Sequence, residues 1–93
     1  MITATIKWLS ELEGGKKELP PLNENYYPMI KIEGYEETFN WSFTLVNLEK
    51  INDLETISKI YFLMPNAPHH LLSSGSKFTI HIGSSLIGHG IIN

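Results

Sequence analysis

The side chains able to do chemistry are few, and their spacing limits what they could do. Four histidines are present. His69 and His70 are adjacent, so on extended backbone they point to opposite sides. His81 falls mid-strand on a polar face, and His89 sits between Gly88 and Gly90. None has the spacing of a helical metal motif, and there is no cysteine, so neither a metal centre nor a disulfide framework is expected. Gly83 and Gly88 stand as far apart as the two glycines of a phosphate-binding loop. The lysine and hydroxyl residue that such a loop needs are replaced by His89 and Gly90, so no nucleotide site is expected. The carboxylate pairs Glu11 with Glu13 and Glu36 with Glu37 fall in loops, where acids are mostly solvated charge. No Gly-x-Ser-x-Gly element marks a serine nucleophile. The chain reads as non-enzymatic and without a cofactor. Its one basic cluster is Lys16-Lys17 beside Gly14-Gly15, and these four residues are candidate binding residues.

The elements that would position these groups are strands. Ile2, Ala4, Ile6 and Trp8 alternate with Thr3, Thr5 and Lys7, which predicts a first strand. Residues 9–25 break the pattern with Gly14-Gly15, Lys16-Lys17 and Pro20-Pro21 and predict a long loop. Within it, Ser10 and Glu13 have the spacing of a capping box. Residues 26–33 predict a second strand entered through Pro28, and 34–37 a turn. In the third strand Phe39, Trp41, Phe43 and Leu45 face inward, and each aromatic ring offers roughly 2–3 kcal/mol of burial. Residues 47–56 are polar, with Leu48, Ile51 and Leu54 three apart, a spacing that allows a short helix. A fourth strand over 57–64 is apolar on both faces and is expected to be covered on both. Residues 69–76 are a loop. The hairpin that follows alternates Phe78, Ile80 and Ile82 with Lys77, Thr79 and His81, turns at Gly83-Ser84-Ser85, and returns over 86–92. Gly88 and Gly90 share one face of the return strand, leaving room for a neighbour or a bend.

Ninety-three residues suit a single domain over 1–93. The net charge is -3, and the seven basic residues are all lysine. The absence of arginine argues against phosphate-backbone recognition. No apolar run is long enough to cross a membrane, and residues 1–8 do not resemble a signal peptide, so a cytoplasmic protein is expected.

Two stretches resemble the C-terminal β-barrel domain of elongation factor Tu. The first is Leu9, Ser10, Glu13, Gly14, Gly15 and Lys16 with Pro20, followed by Tyr26-Tyr27-Pro28. The second is Phe78, Ile80, Gly83, Gly88, Gly90, Ile91 and Ile92, preceded by Ala67-Pro68 and Gly75. The resemblance covers about two thirds of the chain and implies a closed six-stranded antiparallel Greek-key barrel. In that family the barrel helps hold the T stem of aminoacyl-tRNA and contacts protein partners. The family's Arg-Glu before the turn glycine falls on His81 and Ile82 here. The groups flanking its proline fall on Tyr27 and Met29, and a hairpin arginine falls on Ser85. Gly83 is kept and joins the candidate binding residues. The polar RNA contacts are largely replaced, and no GTP binding is expected without the GTPase domain.

The function expected is that of a stand-alone barrel binding a macromolecule, above all a protein, through the loop at 10–25. RNA or tRNA binding is the alternative. An enzyme using His81 and His89 is a second. Tyr26, Tyr27, Tyr35 and Tyr61 offer a surface through which two copies could pair.

Overall fold

The computed structural model describes residues 1–15, 18–35 and 41–93, and period-2 alternation accounts for most of what it contains. Among the described residues seven strands form: β1 (Thr3–Trp8), β2 (Asn25–Tyr26), β3 (Met29–Ile32), β4 (Phe43–Asn52), β5 (Glu55–Phe62), β6 (Lys77–Ile82) and β7 (Ser85–Ile92). They make one antiparallel sheet in the order β2-β4-β5-β1-β7-β6-β3. The hairpins β4–β5 and β6–β7 flank β1, which lies at the centre. Among the described residues there is no α-helix, only 3-10 turns at Glu11–Glu13 and His69–Leu71.

The sheet curls so that one face becomes the core. Ala4, Ile6 and Trp8 of β1, Ile30 and Ile32 of β3, Phe43 and Leu45 of β4, and Ile60 and Phe62 of β5 are buried together with Phe78, Ile80, Ile87 and Ile92. Phe43 and Phe62 stack with centroids 4.3 Å apart, and the half-buried Trp41 meets Phe62 edge-on at 6.4 Å. Two of the three aromatic residues expected inside are therefore against the core; Phe39 lies outside the described residues. Gly88 and Gly90 also face inward. A Cβ on Gly90 would lie 2.1 Å from Cζ of Phe78, so this glycine makes the seat for that ring.

The expected closed six-stranded barrel is corrected to a seven-stranded half-barrel whose ladder ends at β2 and β3. The path expected as one strand over 26–33 is split at Tyr27-Pro28. Its first part pairs with β4 and its second with β6, on opposite edges of the sheet. Proline has no N–H to give to a ladder, and Pro28 is buried where the chain changes partner. From Tyr26 to Met29 the chain can span only about 10–11 Å, so the two edges must approach at this end.

The short helix that the spacing within 47–56 allows does not form; the segment is the β4–β5 hairpin. Register shifts at Asn47/Glu49 and Lys50/Asn52 leave Leu48 and Ile51 as extra residues on β4. Two bulges three residues apart imitate a helical spacing. Asn52 closes the turn, accepting from the Leu54 N–H at 2.9 Å and donating to Glu55 Oε1 at 3.1 Å. The fourth expected strand ends at Phe62, not at residue 64. Its outward residues Ile57, Lys59 and Tyr61 are half-exposed, so it is covered on one face only.

Candidate functional site

The core holds a chain of polar groups at the end where β1 leaves the sheet. Thr56 and Ser58 occupy inward positions of β5, and Asn47 occupies one of β4; all three are buried. The Trp8 indole N–H donates to Thr56 Oγ1 at 3.0 Å. Thr56 and Ser58 hydroxyls are 2.9 Å apart, and Ser58 donates to Asn47 Oδ1 at 2.6 Å. Asn47 Nδ2 then donates to the Pro20 carbonyl at 3.0 Å, while the Asn47 carbonyl accepts from the Asn23 N–H at 2.8 Å. The loop over 9–25 is thus pinned across the sheet end by one buried asparagine. Sequence periodicity missed this network because it treated 47–56 as a surface segment.

Ser10 caps the 3-10 turn in a full capping box with Glu13, as its spacing predicts. The backbone and side chain of Ser10 hold the Glu13 carboxyl below the ordinary range, helped by the charges of Lys7 and His89. Gly14 ends the turn at φ 93°, and Gly15 packs where a Cβ would strike the Leu9 carbonyl. Gly83 makes the β6–β7 turn at φ 57°. These three candidate residues thus have conformational roles, and Lys16 and Lys17 lie outside the described residues. Two clefts border the loop. One is lined by Glu18, Glu24, Asn25 and Tyr26 with Leu19, Pro20 and Pro21, the other by Glu11, Glu18, Lys50, Asp53 and neighbours. Both carry more acid than base, and neither includes Gly14, Gly15 or Gly83.

The histidines divide. The His69 ring stands edge-on to Phe62 at 5.5 Å, with Nε2 3.0 Å from the Pro65 carbonyl oxygen, a packing role. His81 and His89 lie on the outer face of the hairpin, where His81 Nε2 is 2.7 Å from Thr79 Oγ1. Burial of the ring, then the charges of Lys31 and His89, push the His81 pKa down. A hydroxyl and an imidazole two residues apart on one strand face meet as a matter of geometry. Sheet N–H groups lie in the sheet plane, so the face above this pair offers no backbone donors for an oxyanion. No group of three or more His, Asp or Glu side chains is placed to hold a metal among the described residues.

A groove of about 500 Å3 crosses this outer face. Strand register sets its walls. Glu55, Lys7, His89, Thr79 and Lys31 form one row across five strands. Thr5, Ile91 and Lys77 form the next, with Glu33 beyond. Ile91 is half-exposed at the floor. Neither Lys7 nor Lys77 forms an ion pair among the described residues. The two acids near Lys7 are turned toward their own turns: Glu13 accepts from the Ser10 N–H at 3.1 Å, and Glu55 from Asn52. Apart from Glu55, which the sequence places in the polar segment 47–56, the residues of the two rows fall within predicted strands or at their ends, but only the register brings them into one groove. No protein-family model, no curated protein and no solved structure matches the chain.

Proposed function

We propose that this chain is a non-enzymatic binding module whose partner is a protein seated in the outer groove over Ile91. The observation that carries the proposal is a concave site with an apolar floor on the face that the core does not use. The solvated face of an antiparallel sheet is mostly polar, so an exposed isoleucine within a concavity offers a partner apolar contact. The likeness to the C-terminal barrel of elongation factor Tu belongs to the same proposal, since it too describes a small cytoplasmic β scaffold that contacts macromolecules. RNA is disfavoured by the lack of arginine and by Glu33 and Glu55 at opposite ends of the groove.

The test compares wild-type and Ile91→Asp baits in lysate from cells that make the protein. The expected result is a ribonuclease-insensitive polypeptide that, once identified and purified, binds wild type and not the variant. Ile91 faces outward, so the variant should keep its circular dichroism spectrum. Equal binding to both baits, or binding abolished by ribonuclease, would overturn the proposal.

A further inference from the structure

Resting on that protein-binding reading, we infer that the groove takes an extended acidic segment, with two carboxylates four residues apart and an apolar residue midway. The spacing follows from register. Lys7 on β1 and Lys77 on β6 lie on either side of β7, with Lys7 opposite His89 and Lys77 opposite Ile91. Two strand spacings and one row of stagger separate them by about 12 Å. An extended peptide covers about 13 Å between positions i and i+4, and those positions share one face with i+2. A carboxylate at each end meets a lysine, and the middle side chain crosses β7 between His89 and Ile91, where it packs on the isoleucine.

The charge around this diagonal fits such an occupant. Both lysines are without an ion pair among the described residues, and His89 stands between their strands. Glu55 is the register neighbour of Lys7, and Glu33 lies beside Lys77, so the two acids bound the diagonal on its outer sides and the positive field is directed inward, toward β7. A nucleic acid would place charge at every phosphate and would meet both glutamates. A peptide with two spaced carboxylates reaches each lysine from the β7 side and stays between the two glutamates.

The experiment titrates acetyl-Ser-Glu-Thr-Leu-Thr-Glu-Ser-amide into the 15N-labelled full chain at low salt. Saturable amide shifts are expected at Thr5, Lys7, Lys77, Thr79, His89 and Ile91. Replacing both Glu of the peptide by Gln should weaken binding about fivefold or more, the range for two exposed ion pairs. A Lys7→Gln/Lys77→Gln double variant should weaken it equally while leaving the rest of the spectrum unmoved. Absence of shifts, shifts elsewhere, or equal response to the Gln peptide would overturn the inference. So would a uridine oligonucleotide that saturates the same amides where the peptide does not. If the peptide fails while partner binding still depends on Ile91, the acidic chemistry is wrong and the binding module stands; if partner binding ignores Ile91, the parent reading falls.

Discussion

One proton assignment satisfies every link of the buried chain from Trp8 to Asn47. Trp8 donates to Thr56, Thr56 to Ser58, Ser58 to Asn47 Oδ1, and Asn47 Nδ2 to the Pro20 carbonyl. Satisfied chains of this kind strengthen each link, and a single missing donor exposes the whole desolvation penalty. Asn47→Asp keeps the shape and removes the Nδ2 donor to the Pro20 carbonyl. It should lower stability by about 3 kcal/mol or more at neutral pH, measured as a shift in urea midpoint. A midpoint within error of wild type would show that water reaches this network. Gly90 sets a second residue-scale condition. Gly90→Ala puts a methyl on the Phe78 ring and should destabilise by about 1–3 kcal/mol. Adding Phe78→Leu to it should recover part of that loss, and strict additivity of the two changes would deny the contact.

Among elements, the 3-10 turn at Glu11–Glu13 carries a pH signature. The Glu13 carboxyl is favoured in its ionised form by Ser10, so its folded pKa lies below the unfolded one. Its contribution is present above the ordinary carboxylate range and is lost as pH falls through the lowered folded pKa. The Ser10 amide proton should therefore move upfield on acidification, and Glu13→Gln should abolish that titration. The capping box was legible in sequence because it is local: two residues three apart suffice. The strands β1 and β6 were legible through local alternation, and β7 through the turn at Gly83 and the spacing of Gly88 and Gly90. The β4–β5 hairpin was not, because bulges at Leu48 and Ile51 shift the period from two to three. The split between β2 and β3 was hidden because both halves are extended and differ only in which distant strand they meet. The groove was hidden for a related cause. Lys7, Lys31, Lys77 and His89 come from four strands, and no local pattern encodes their register.

At the scale of the whole molecule, non-local pairing dominates. The central strand β1 bonds to β5 and β7, both more than forty positions away in sequence. Such topologies pay loop-closure entropy before their contacts form, so folding should take milliseconds to seconds. Stopped-flow refolding monitored by the buried Trp8 tests this, and completion within microseconds would be incompatible with the ladder described. The radius of gyration, 12.2 Å, matches the roughly 12 Å of a compact chain of this length, so the curl wastes little space. Tyr27 and Pro28 have a consequence at this scale. They join the two outermost strands of a single sheet, so the roll is stitched along its own seam. Neither rim can peel away alone without dragging the other, so the two ends of the ladder are held near one another by the covalent path of the chain.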